Sequence, residues 1–271
     1  LEPVVANQGF IACSDEAFGT NFNASSSITA DTYNITALNL NGLTVSSGGA
    51  AVANGLLASD LGDDVFTNTS SAPVDVVYTV VPVSGAGCEG DAFTVTVTVN
   101  PEPVVADQTL VVCSDELLNY TIADDIDTPN VASYSLTNIV SNGLTPGSGN
   151  STVQTGLPNT AISNDSWTNT TATAVVVAYT FVPLADNGCE GDAFTVSVNV
   201  DPEPVVANQV HTACSDEALG IFFNSSTSVA ALTYDITGLN INGLTVSAGG
   251  AAIATGLSDS DLADDAFTNT T

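Results

Sequence analysis

The strongest constraint on this chain is that it repeats itself every 100 to 101 residues. Glu2-Pro3-Val4-Val5 returns at Glu102 and Glu203, and Cys13-Ser14-Asp15-Glu16 returns at Cys113 and Cys214. Asn41-Gly42-Leu43-Thr44 returns at Asn142 and Asn242; Phe66-Thr67-Asn68-Thr69 returns as Trp167-Thr168-Asn169-Thr170 and Phe267-Thr268-Asn269-Thr270. Cys88-Glu89-Gly90-Asp91-Ala92-Phe93 returns at Cys189. Solenoid repeats of about 20–50 residues are single supersecondary units, whereas a period near 100 is the size of a whole domain. The reading is therefore a tandem array: residues 1–100, 101–201 and 202–271, the third cut before its last strands, a piece of something longer.

Within a unit the pattern is that of strands. Phe93-Thr94-Val95-Thr96-Val97-Thr98-Val99 alternates apolar with threonine, as a strand with one buried face does, and 194–200 repeats it. Val74–Val81 and Val175–Val182 read as more deeply buried strands, and Asn41-Gly42 reads as a hairpin turn between Leu38–Leu40 and Leu43–Val45. One helical turn is expected around Ser59-Asp60-Leu61. About seven short strands per hundred residues, separated by turn signals, give an all-β fold of immunoglobulin-like β-sandwiches. The linkers Asn100-Pro101-Glu102-Pro103 and Asp201-Pro202-Glu203-Pro204 place two prolines in four residues, which favours short, stiff connections.

The composition removes several functions. The chain of 271 residues has no Lys, no Arg, one His and thirty Asp plus Glu, a formal charge of −30. Phosphate neutralisation by Lys and Arg is thus absent, excluding ordinary nucleic-acid binding and attraction to anionic membrane surfaces. No apolar run is long enough to insert into a membrane. At 44% hydrophobic and 11% charged residues there is ample material for a core. Trypsin-like proteases have no site, and without Met there is no thioether to oxidise.

Five cysteines fall at two repeat positions, and the spacing from Cys13 to Cys88 matches that from Cys113 to Cys189 to within one residue. The pairing expected from this is Cys13 with Cys88, Cys113 with Cys189, and Cys214 with a partner past residue 271, against the alternative of reduced core thiols. A zinc site lacks ligands. Such disulfides would stabilise each unit by about 4–5 kcal/mol in the chain-entropy treatment and imply an oxidising, extracellular location. They would also gather Asp15 and Glu16 with Glu89 and Asp91, and Asp115 and Glu116 with Glu190 and Asp192. No cofactor is required, but such hard oxygen clusters suit Ca²⁺; the competing reading is a solvated acidic rim. Asp63-Asp64 and Asp264-Asp265 are weaker candidates, since the second unit has Asn164-Asp165, and Asp124-Asp125-Ile126-Asp127 reads as a loop. His211 aligns with Phe10 and Leu110 and has no recurring partner; Trp167 aligns with Phe66 and Phe267 and reads as core. Sequons at Asn23, Asn34, Asn68, Asn119 and Asn169 would allow glycans on an exposed rod.

The phrase from Cys88 through Thr94-Val95-Thr96-Val97-Thr98-Val99-Asn100-Pro101 resembles the closing strands of PKD-like and related immunoglobulin-like repeats. These occur in very large secreted bacterial surface proteins, including gliding-type adhesins exported by the type IX route. The resemblance spans the chain unit by unit and implies a non-enzymatic stalk or adhesive array on the cell surface, with no binding residues to carry over. Its partners would be surface or substratum ligands, or other copies of the array. The rival expectation is a self-assembling extracellular filament or sheath, with cations offsetting the negative charge, through Thr- and Val-rich edge strands that lack a Lys gatekeeper. A glycosidase would need a carboxylate pair in a one-off domain; here every persistent acidic pair recurs.

Overall fold

The computed structural model describes the chain except residues 21, 23–26, 125–128, 224–227 and 271. The sequon at Asn23, and Asp125, Ile126 and Asp127, lie outside the described residues.

The first unit contains β1 (Gln8–Cys13), β2 (Thr32–Asn39), β3 (Thr44–Ser47), the helical turn α1 (Ala58–Gly62), β4 (Val65–Thr67), β5 (Val74–Val83) and β6 (Phe93–Asn100). The second contains β7 (Gln108–Cys113), β8 (Val131–Val140), β9 (Thr145–Pro146), β10 (Gln154–Leu157), β11 (Trp167–Thr168), β12 (Val175–Ala185) and β13 (Phe194–Asp201). The third shows β14 (Thr245–Ala248), α2 (Asp259–Ala263) and β15 (Ala266–Thr268). One sheet of the first unit runs β1-β6-β5-β2, opposed by the pair β3-β4; the second unit has β10-β8-β12-β13-β7 opposed by β11-β9. This is the layered β-sandwich that the alternating strands require, because each sheet has one apolar face to cover.

Phe93, Val95, Val97 and Val99 point inward with the intervening threonines half exposed. They meet Val76, Tyr78 and Val80 of β5 and, from the opposite layer, Leu43, Leu61 and Phe66. The second unit repeats the arrangement around Tyr179, Phe181, Trp167, Val196 and Val198 in a core of its own. In the third unit Leu219, Ile221, Ile236, Leu262 and Phe267 line an open apolar cleft, where the first unit seats β5 and β6.

Two local features position everything below. First, Asn41 and Gly42 do form a turn, both at positive φ (48° and 95°), and Asn41 anchors it by donating to the Asp75 carbonyl at 2.7 Å. It is not a hairpin, however: β2 pairs with β5 and β3 with β4, so the turn carries the chain from one sheet to the other. Second, β1 pairs with β6 in parallel, Gln8 opposite Val95 and Cys13 opposite Asn100; β7 and β13 do the same. The first and last strands of a unit therefore run in one direction, and each unit has an entry pole and an exit pole.

Candidate functional site

Cys13 ends β1, opposite Asn100, and so lies at the exit pole. Its neighbours lock that pole. Ser14 donates its N–H to the Asn100 carbonyl (2.8 Å) and Asp15 its own to the Phe66 carbonyl (2.9 Å). Asp15 adopts φ 58°, which a short polar side chain tolerates, and its carboxylate accepts from Thr67 Oγ1 at 2.7 Å. The Asn68 N–H donates to Ser14 Oγ at 3.0 Å. The Asn68 amide donates to the carbonyls of Ala72 and Val99, 3.0 and 2.8 Å away. The recurring Cys-Ser-Asp-Glu and Phe-Thr-Asn-Thr motifs are thus two halves of one interlock, and the second unit reproduces it through Ser114, Asp115, Thr168 and Asn169. Asn68 and Asn169 are buried with their amides engaged, so these two sequons serve structure and present no acceptor for a glycan.

Cys88 lies at the opposite pole. It follows the tight turn after β5, where Ser84 donates to its carbonyl, and stands just ahead of β6. The seven residue steps of β6 alone separate the poles by about 23 Å, against a Cα–Cα reach of about 7 Å for a disulfide. The expected bonds Cys13–Cys88 and Cys113–Cys189 are therefore corrected. The structure joins Cys13 to Cys189, with Cα atoms 5.5 Å apart, and so staples the exit pole of the first unit to the entry pole of the second. Cys88, Cys113 and Cys214 are exposed thiols.

The linker is seated in the same joint. Asn187 donates its amide to the Pro101 carbonyl at 2.9 Å. Gly191 packs so closely on Pro103 that a Cβ would stand 1.9 Å from the proline carbonyl oxygen; Gly90 and Pro3 repeat this contact in the first unit. That close approach is why Cys-Glu-Gly-Asp carries glycine.

The carboxylate sets are corrected with the disulfides. Asp15 and Glu16 stand at one pole and Glu89 and Asp91 at the other, and likewise Asp115 and Glu116 against Glu190 and Asp192. Among the described residues, no group of three or more His, Cys, Asp or Glu is arranged to hold a metal ion. What gathers at the joint is a set spanning two units. Glu102 of the linker, half-buried, feels Asp15, Asp192 and Glu16; burial first, and then these like charges, push its carboxyl up to about 7. Glu203 occupies the corresponding place after the second unit, raised by burial and by Asp115. Burial also opposes ionisation of Asp15, but the hydroxyls of Thr67, Ser46 and Ser14 outweigh it and hold that carboxyl below its ordinary value. The Glu-Pro-Val-Val repeat was visible in the sequence; that its glutamate joins the acidic set was not.

The remaining candidates lie elsewhere. Asp64 and Asp165 are buried core residues, each accepting a hydrogen bond from a tyrosine, Tyr78 at 2.7 Å and Tyr179 at 2.8 Å. Trp167 is buried and donates to the Tyr179 hydroxyl at 2.7 Å. Asp124 accepts from the Tyr134 hydroxyl. His211 is exposed beside Gln209.

Residues 11–103 and 110–204 each match the PKD-like domain. The chain belongs to the PKD-like domain family. Solved structures similar to this PKD-like array include fibronectin(III)-like modules of Clostridium thermocellum CbhA, at 13% identity over 77% of this chain and 96% of that one, with a TM-score of 0.24. Human protocadherin-24 EC1-2 is 12% identical over 72% and 95%, with a TM-score of 0.23. Drosophila N-cadherin EC1-3 is 9% identical over 75% and 67%, with a TM-score of 0.24. No curated protein matches the array. No helix among its described residues is long and apolar enough to cross a membrane.

Proposed function

We propose that the protein is a non-enzymatic, extracellular structural array: a rod-like stalk or adhesin segment, of units 1–100, 101–201 and 202–271, that holds a binding surface away from a bacterial cell. The observation that carries this reading is the Cys13–Cys189 bond, which fixes the exit pole of one unit to the entry pole of the next. A disulfide of this kind suits an oxidising environment outside the cytoplasm. Proline linkers held by Asn187 and Gly191 limit bending at the joint. The charge of −30 keeps neighbouring rods apart, over a range of about 10 Å at 0.1 M salt.

Electron microscopy of the full-length protein, with sedimentation on the same sample, tests this. Thin, unbranched, monomeric rods whose length grows linearly with repeat number are expected. Sheets or laterally bonded filaments would defeat the stalk reading and favour self-assembly. That second reading is supported by Ile11 and Val111, which stand 73% and 64% exposed at equivalent positions of the edge strands β1 and β7.

A further inference from the structure

The exposed thiols are not scattered. Cys113 and Cys214 carry the same Ser-Asp-Glu behind them as Cys13, and Cys88 the same Glu-Gly-Asp as Cys189. Their surroundings match in the same way. Asp115 and Asp216 share the positive φ of Asp15 (64° and 65° beside 58°) and donate to the Trp167 and Phe267 carbonyls as Asp15 does to Phe66. Gly90 and Gly191 sit identically on their prolines. Each free thiol is thus one half of a joint whose complete form is present at Cys13–Cys189.

We infer that every joint in the array is stapled in the manner of Cys13–Cys189. Cys113 bonds to the Cys-Glu-Gly-Asp loop of the unit one period after Cys189, and Cys88 to the Cys-Ser-Asp-Glu turn of the unit preceding its own. The occupant of both sites is a neighbouring repeat of the same chain. At each joint two S–H bonds give way to one S–S bond. The two protons and two electrons pass to a disulfide oxidant, which leaves as the dithiol.

The consequence is mechanical. From Cys88 the chain runs through β6, the proline linker and β7 to Cys113, most of the way in strand, and then crosses a staple to the next unit. A second path arrives at Cys13 along β1, crosses to Cys189, follows β13 and continues to Cys214 over a segment of the same length. Each unit contributes one strand to each path, and those strands, β1 beside β6 and β7 beside β13, are hydrogen-bonded in parallel. Two covalent cables therefore run down the array already extended, and load bypasses the interior strands β2 to β5. Fully extended, a segment from Cys88 to Cys113 spans about 85 Å, close to the two units it already crosses, so pulling finds almost no slack. With staples inside single units, the same segment would serve one unit and release about 45 Å; with none, unfolding a unit would release about 300 Å.

The test is peptide mapping of the full-length protein, thiols blocked with a maleimide at harvest, cleaved at acidic residues and never reduced. The Cys113 peptide is expected linked to a Cys-Glu-Gly-Asp peptide other than that of Cys189, and the Cys88 peptide to a Cys-Ser-Asp-Glu peptide other than that of Cys13. Maleimide on Cys88 or Cys113, a Cys113–Cys189 link, or reducible dimers through Cys88 would each overturn the inference. In C113S, one Cys-Glu-Gly-Asp thiol should become labelled while Cys13–Cys189 persists; labelling confined to wild-type levels would also overturn it. Force spectroscopy of the oxidised full-length chain should show no unfolding steps of about 45 Å or of about 300 Å until reductant is added. Rods in micrographs together with blocked, unpaired Cys88 and Cys113 would refute the stapling while leaving the structural role standing.

Discussion

Asp64 is 1% exposed, accepts one hydrogen bond from Tyr78, and has its other carboxylate oxygen buried with no partner. Burial is the main cause that raises this carboxyl from 3.8 to about 6; the Tyr78 bond lowers it in part and the charge of Asp63 raises it. Below pH 4 the group is protonated both folded and unfolded. Between 4 and 6 the unfolded carboxyl ionises while the folded one keeps its proton, so stability falls as pH rises, and above 6 the loss is complete. A rise of that size amounts to about 3 kcal/mol. Asp64→Asn removes the charge while keeping an oxygen for the Tyr78 hydroxyl. It should stabilise the first unit by about 2–3 kcal/mol at pH 8, have little effect at pH 4, and flatten the slope between. Hydrogen exchange of β5 peptides, followed by mass spectrometry, reads this unit separately from the second. The difference between wild type and variant cancels the titration of the other carboxylates. An unchanged slope, or a variant less stable than wild type at pH 8, would refute the reasoning.

Other outcomes follow from the joint and the interlock. Asn169→Ala deletes two donated bonds, to the carbonyls of Thr173 and Val200, and the two that its side-chain oxygen accepts from Thr171; it should cost about 3 kcal/mol, read by Trp167 fluorescence in a denaturant titration. Gly191→Ala forces a methyl against the Pro103 carbonyl, and should leave Cys13 open to maleimide in a large fraction of molecules without unfolding either core. Glu102→Gln should tighten the joint at pH 8 by about 1 kcal/mol after solvent screening and change little at pH 4, because the raised carboxyl costs the folded state only as pH climbs toward 7. Protection of backbone amides in residues 100–108 reports it. The isolated 271-residue chain, oxidised, should weigh about 2 Da less than its reduced form, one disulfide's worth; two disulfides would contradict the single staple.

The period, the strands and the all-β class were readable from the residues because they are local. Alternation in Phe93–Val99 dictates a half-buried strand whatever its neighbours, and a repeat of domain length dictates independent cores. The burial of Trp167 was readable too, from its alignment with two phenylalanines. What the residues could not convey is where strands go. Asn41-Gly42 specifies a turn, but whether the flanking strands pair or part depends on which partners the sheets offer, and β5 outcompetes β3 for β2. The recurring spacing of the cysteines is likewise silent on direction. Only the parallel pairing of β1 with β6 puts Cys13 and Cys88 at opposite ends of a unit, and only the stacking of units brings Cys189 within bonding reach. The sequence by itself determined which residues repeat and which face inward, since both follow from short-range chemistry. The tertiary structure alone decided which repeated residues meet, because a disulfide and an acidic cluster depend on distances of a few ångströms between segments far apart in the chain.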